Sequence, residues 1–280
     1  MELRQIGVAG FGTMGSEIAL LAAVAGYDVC VFDVVDEVLV EKMKRLPKLL
    51  RMIKKEASDD ERSEIMSRIK TYKSLKCFEK CDLVIEAVLE DFDVKSQLIS
   101  ELNDVCKPEA IFATNTSSIG ITRLAAISGR SEQFIGLHFF NPPSQMSLVE
   151  VVPALQTIDE VRDASIEFIE RLGKKPLVFK ETPGVVVNRV LMAMAVEAMA
   201  LYEEGIGEPA EIDEALRRGA GWPLGPFKLM DLVGLDVFLQ ACEMLYNEHG
   251  NKKFRPPFVL KQLVQAGRLG RKTRAGFYDY

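Results

Sequence analysis

The residues in this chain best suited to proton chemistry are a histidine and a glutamate twelve positions apart. His138 lies in Phe134-Ile135-Gly136-Leu137-His138-Phe139-Phe140-Asn141-Pro142, and Glu150 in Leu148-Val149-Glu150-Val151-Val152. The first stretch has the composition of a short apolar strand that delivers an imidazole at its C-terminal end. Asn-Pro-Pro then forces a turn. The second stretch reads as a strand with an acid inside its apolar run. A general base needs this combination: the imidazole takes a proton, and the carboxylate holds its tautomer and stabilises the imidazolium. The chain has only one other histidine, His249, in the polar helix stop Asn247-Glu248-His249-Gly250. Spacing alone also allows a hydrogen-bonded core histidine and an edge-strand acid.

A second group of residues points to a cofactor. Leu3 to Ala9 reads as a short apolar strand, Gly10-Phe11-Gly12-Thr13-Met14-Gly15 follows, and Glu17 to Ala25 has helix composition up to Gly26. In a strand–turn–helix context, such glycines let backbone N–H groups approach a pyrophosphate, and the helix N-terminus favours the anion. A second strand, Asp28 to Phe32, ends at Asp33. An acid at that distance suits the adenine-ribose hydroxyls and repels a 2′-phosphate, so NAD is expected rather than NADP. Further along, Ala110 to Thr114 reads as a strand ending in the hydroxyl-rich Asn115-Thr116-Ser117-Ser118, at the strand end where open parallel sheets bind ligands.

The elements that must carry these residues form two blocks. Up to residue 182, strands (including 81–88 and Pro176 to Phe179) alternate with helices (including Asp91 to Val105 and Asp159 to Leu172). That alternation implies an α/β fold with a doubly wound, mostly parallel, Rossmann-type sheet. Into it is inserted a helical hairpin over about 35–70. Its first helix, Val35 to about Ala57, is expected to be interrupted at Pro47, and Ser58 is placed to cap the second. Lys48, Arg51, Lys54 and Lys55 cluster on the hairpin, either as a solvated face or as an arm for an anionic substrate tail. Over 183–280 strand patterns vanish and an all-α domain is expected. Its helices run Val185 to Tyr202, Pro209 to Arg217, Asp236 to Tyr246 and Pro257 to Gln265. The stripe Leu191, Ala195, Ala198, Leu201 suits either the core or a second copy of the chain.

Composition narrows the partners. The formal net charge of −6 gives no basic footprint for nucleic acid. The apolar runs at 18–25 and 185–201 do not suit a membrane span. The five cysteines show no metal-binding spacing and read as reduced thiols in a cytoplasmic setting. Nine residues precede Gly10, so no presequence is expected.

Together these residues resemble the 3-hydroxyacyl-CoA dehydrogenase family, in particular its short single-function 3-hydroxybutyryl-CoA members, over essentially the full length. The landmarks are Gly10-x-Gly12-x-Met14-Gly15, Asn115-Thr116-Ser117-Ser118, His138-Phe139-Phe140-Asn141-Pro142, Leu148-Val149-Glu150-Val151-Val152, Thr182-Pro183-Gly184 with Asn188-Arg189, Gly225-Pro226-Phe227-x-Leu229-x-Asp231 and the tail Gly276-Phe277-Tyr278-Asp279-Tyr280. The resemblance implies roles for individual residues. His138 is similar to the family's base and Glu150 to its partner. Ser117 and Asn188 resemble the residues that hold the substrate's C3 oxygen. Asp33 resembles the NAD ribose ligand, and Gly10, Gly12, Thr13, Met14, Gly15, Glu90, Lys95, Asn115 and Asn141 fall along the cofactor cleft. Lys48 resembles a contact to coenzyme A. The resemblance also implies an acyl-CoA substrate and a homodimer through the helical domain. Ser144-Gln145, Val185 and Arg274-Ala275 depart from the family's usual residues, the first two near the substrate path. A dehydrogenase of a free hydroxy acid such as gulonate, and a NAD-binding structural protein like certain lens crystallins, share the fold.

Overall fold

Gln5–Ala9 forms the first strand, β1, and lies at the centre of the sheet with both faces covered, so its run of apolar residues is buried from Ile6 to Ala9 except for Gly7's lack of a side chain. The structure, a computed structural model, describes residues 1–280 and divides them into two units, Met1–Glu181 and Thr182–Tyr280. In the first unit β1 is followed by α1 (Thr13–Val24), β2 (Asp28–Phe32), α2 (Asp36–Ile53), α3 (Asp59–Ser67), β3 (Ile69–Tyr72), β4 (Leu83–Glu86) and α4 (Phe92–Val105). Then come β5 (Ile111–Thr114), α5 (Ile121–Ile127), β6 (Phe134–Phe139), β7 (Leu148–Pro153), α6 (Asp159–Arg171) and β8 (Lys175–Val178).

The eight strands make one sheet in the order β3-β2-β1-β4-β5-β6-β7-β8. Every pairing is parallel except β6 with β7. The exception follows from chain length: parallel neighbours need a crossover, whereas the short Asn-Pro-Pro connection can only return the chain beside itself. The chain winds outward from β1 to β3, then resumes on the other side with β4, which creates a switch point at the carboxyl ends of β1 and β4. Ligands of open α/β sheets bind at such a point.

Two glycines are required by the turn after β1. Gly10 has φ of 95°, and a Cβ there would lie 2.7 Å from the backbone of Ala87. A Cβ on Gly15 would lie 1.8 Å from Gly10 O, so α1 can start this close to the strand only with glycine there. A Cβ on Gly12 would meet nothing within 4 Å.

The hairpin forms as expected at its second helix, where Ser58 accepts from Glu61 N at 3.1 Å and Glu61 accepts from Ser58 N at 2.7 Å. Its first helix differs from expectation, running unbroken through Pro47. Proline removes one hydrogen bond there, but Leu39, Leu46 and Leu50 bury one face of α2 and keep the helix intact. β3 and α5 were not legible in the sequence: β3 is an edge strand with only Ile69 buried, and α5 is a seven-residue helix.

The second unit is helical: α7 (Val187–Glu203), α8 (Pro209–Gly219), α9 (Pro226–Val233), α10 (Leu235–His249) and α11 (Phe258–Gln265). Ala195 and Ala198 sit in its core with Met199, Phe227 and Phe238, and Leu191 and Leu201 pack against that core. The stripe therefore serves the unit's own interior. Two buried carboxylates pin the tail. Asp213 accepts from Phe227 N at 2.8 Å, Lys228 N at 3.1 Å and Tyr278 Oη at 2.7 Å. Asp231 accepts from the backbone N–H groups of Phe277 and Tyr278, each at 2.9 Å. Of the positions that depart from the family, Arg274 and Val185 both adopt positive φ, 59° and 45°. Arg274 thus occupies a conformation that glycine adopts freely.

Candidate active site

β6 and β7 lie antiparallel with His138 and Glu150 as direct cross-strand partners. His138 Nδ1 lies 2.7 Å from Glu150 Oε2, with His138 7% exposed and Glu150 fully buried. A carboxylate only accepts, so in the neutral imidazole the ring proton resides on Nδ1 and the lone pair on Nε2. The Phe140 ring packs against the imidazole with centroids 4.5 Å apart. His249 has a different setting: it ends α10, its Nε2 is 3.4 Å from Pro183 O, and its ring lies beside Phe254. Of the two histidines, His138 is the one paired with a buried carboxylate.

The exits of β4 and β5 meet in a second cluster. Glu90 Oε1 accepts from Ser117 N and Ser118 N, both at 3.1 Å, from Ser118 Oγ at 2.6 Å and from Thr116 Oγ1. Its other oxygen lies 3.2 Å from Lys95 Nζ. Burial pushes the Glu90 carboxyl up, but Lys95, Ser118 and Thr116 outweigh it and hold the carboxyl below its ordinary range. Lys95 is 1% exposed, and its ammonium is shared between Glu86 and Glu90. The resemblance implies a place for Lys95 along the cofactor cleft; in the structure it is a buried cation paired with Glu86 and Glu90. Asn115 Oδ1 accepts from Phe139 N at 2.9 Å and so joins the end of β5 to the strand that carries His138. Asn141 is exposed in the turn after β6, and that turn is tied to α1 where Glu17 Oε2 accepts from Ser144 N at 2.8 Å.

The residues at the start of α1 suit a dinucleotide. Gly12 caps the helix without a side-chain hydrogen bond, and no acid lies in its first turn. The leading N–H groups, those of Thr13, Met14 and Gly15, have no intrahelical partner and favour an anion. The open space in front of Gly12 is what a phosphate would need. Asp33 Oδ2 accepts from Phe11 N at 2.7 Å and its Oδ1 from Val35 N at 2.9 Å. Each oxygen keeps capacity for a ribose hydroxyl. Of the remaining expected site residues, Lys48 is exposed on α2, and Asn188 stands in the first turn of α7, in the second unit.

Glu86 and Thr114 join this cluster without being singled out in the sequence, whereas Thr116 and Ser118 lie in the hydroxyl-rich strand end that the sequence marks as a ligand position. One signal was present: Glu86 is an acid inside an apolar strand run, the same feature that marked Glu150.

The 3-hydroxyacyl-CoA dehydrogenase NAD binding domain matches residues 5–182, and the C-terminal domain of the same family matches 184–280. A probable 3-hydroxybutyryl-CoA dehydrogenase of Deinococcus radiodurans is 44% identical, covering 99% of this chain and 100% of its own. The 3-hydroxybutyryl-CoA dehydrogenase of Bradyrhizobium diazoefficiens is 43% identical, covering 99% and 96%. The crystal structure of (S)-3-hydroxybutyryl-CoA dehydrogenase from Ralstonia eutropha superposes with a TM-score of 0.96 at 40% identity, covering 100% of this chain and 99% of that one. No helix is long and apolar enough to cross a membrane. The chain belongs to the 3-hydroxyacyl-CoA dehydrogenase family, NAD-dependent oxidoreductases that act on a CH–OH group.

Proposed function

We propose that the chain oxidises short (S)-3-hydroxyacyl-CoA thioesters, 3-hydroxybutyryl-CoA first among them, to 3-oxoacyl-CoA, and runs the reverse reaction. The observation that carries this reading is the buried His138–Glu150 pair at 2.7 Å. Nε2 of His138 removes the proton from the C3 hydroxyl. Glu150 holds the Nδ1–H tautomer and stabilises the imidazolium that forms. The turn after β1 and Asp33 would hold NAD, which would supply the acceptor for the hydride that leaves C3. Ser117 and Asn188 orient the C3 oxygen. In reduction, the imidazolium returns its proton to that oxygen. The names of relatives at 43–44% identity over the whole chain support the short acyl group. The same reading makes the protein a cytoplasmic homodimer formed through its helical unit. Five free cysteines support the reducing compartment, and exposed Val190, Val237 and Phe258 support the association.

A substrate panel tests the function: acetoacetyl-CoA, longer 3-oxoacyl-CoA thioesters and free acids such as gulonate in the matching direction, each with the NAD and NADP forms of the cofactor. The expected result is highest kcat/KM on acetoacetyl-CoA with NADH. Asp33 should make NADPH much poorer, because a 2′-phosphate would face a carboxylate. Turnover of the free acid alone would contradict the thioester reading, and equal use of NADPH would contradict the role given to Asp33.

Lys48 tests the grip on the coenzyme A tail. Its ammonium is exposed on α2. A surface ion pair is worth about 0–1 kcal/mol, whereas a charge-assisted phosphate contact is worth about 1.5–3 kcal/mol. Lys48→Ala should therefore raise KM for the thioester roughly tenfold or more and leave KM for NADH near its wild-type value. An unchanged thioester KM would make this run of cations a solvated face.

A further inference from the structure

Glu86 takes part in none of these steps, yet it is a charged side chain only 2% exposed. It closes β4, in register with Ala9 on β1 and Thr114 on β5. Both its oxygens are engaged. Oε1 accepts from Lys95 Nζ at 2.6 Å and from Val88 N at 2.8 Å, and Oε2 accepts from Thr114 Oγ1 at 2.7 Å. Lys95 reaches on to Glu90, and Glu90 holds the backbone of Ser117 and Ser118. On the other side, the Val88 peptide lies against the cofactor turn: a Cβ on Gly10 would come within 2.8 Å of Val88 N. Charge-assisted contacts thus join the exits of β4 and β5, and the Val88 peptide that they hold lies against the turn after β1. Together they reach from the glycine turn on one side to Ser117 on the other.

We propose that Glu86 is a positioning residue for the reaction. Through Val88 N it fixes the peptide on which the Gly10 turn rests, and through Lys95 and Glu90 it fixes the turn that carries Ser117. The second half rests on the reading that Ser117 holds the substrate oxygen. The physical basis is charge. Two carboxylates and one ammonium meet here, Glu86 and Lys95 buried and Glu90 at the surface, so the ammonium sits between the two acids and each acid has one favoured geometry. An amide at position 86 removes one charge and turns one acceptor into a donor. Lys95 then pairs with Glu90 alone and draws it from the 116–118 turn.

Two variants test this, each measured far below its melting temperature. Glu86→Gln changes the charge. Thr114→Val keeps the charge and shape but frees Glu86 Oε2, and it serves if the first variant folds poorly. For Glu86→Gln, kcat should fall about 10–100-fold, and the Kd for NADH, read from cofactor fluorescence, should rise roughly tenfold. Thr114→Val should show both effects at about 3–10-fold. Ser117→Ala, added in either background, should cost less than about threefold in kcat, against about tenfold or more in the wild type. A purely structural role predicts a lower Tm with wild-type kcat and NADH affinity, and that result would overturn the proposal. A full-size Ser117→Ala cost in every background would also overturn it, while leaving the role of Ser117 intact. A Ser117→Ala variant that is silent in the wild type would sink the reading of Ser117 itself, and this proposal with it.

Discussion

His138→Gln should lower kcat for alcohol oxidation by about 10²–10⁴-fold, the usual contribution of a base in hydrogen-bond reach. Glutamine is close to histidine in size and can still hydrogen-bond Glu150, so the strand pair keeps its packing. What it lacks is a lone pair able to take the proton from the C3 hydroxyl. In the proposed function the turn after β1, and not this side chain, holds the cofactor, so NADH affinity should stay near that of the wild type. The expected signature is a large fall in kcat with little change in NADH binding or Tm. A variant that retained most of its turnover would remove His138 from the reaction. A variant that unfolded would say only that the buried pair supports the sheet, and His138→Asn would then be the comparison to make.

The second large effect is expected at the cofactor turn, where substitution of either glycine should weaken NADH binding but only one should cost stability. Gly15→Ala places a Cβ 1.8 Å from Gly10 O, against backbone that is itself wedged on Ala87. Neither side can give way, so α1 must shift from β1. Stability should fall by about 3 kcal/mol, the upper end for overpacking, and NADH binding should be lost. Gly12→Ala meets no protein atom within 4 Å, and its φ of −62° suits alanine. Its Tm should match the wild type, while NADH affinity falls at least about tenfold because the methyl group fills the space left in front of the helix. Equal NADH affinity in Gly12→Ala and the wild type would mean that the dinucleotide does not approach the helix at Gly12.

Much of the catalytic half was legible because its signals are local. The glycine turn requires particular backbone conformations. Asp33 ends a strand, and His138 and Glu150 each interrupt an apolar run. Such features can be read without knowing which strands are neighbours. The Glu86–Lys95–Glu90 line was not legible for the opposite reason. It depends on β4 lying between β1 and β5, and nothing in the spacing of Glu86, Lys95 and Thr114 shows that their side chains converge. Only the resemblance singles out Lys95, because a lysine is rarely buried unless paired and its two partners are hidden in the topology. Pro47 misled through a local rule that tertiary packing overrode. β3 escaped notice because an edge strand buries too little to show a pattern.

The central claim is that Glu150 holds His138 in its reactive tautomer and stabilises the imidazolium that forms, and kcat for oxidation by Glu150→Gln tests it most directly. The substitution keeps size and hydrogen bonding but removes the negative charge beside Nδ1. An amide can also offer its N–H to Nδ1 and so leave the lone pair on the wrong nitrogen. The kcat should therefore fall by about 10²-fold or more, while NADH affinity and Tm stay near those of the wild type. A Glu150→Gln variant with the kcat of the wild type would contradict the account of the pair.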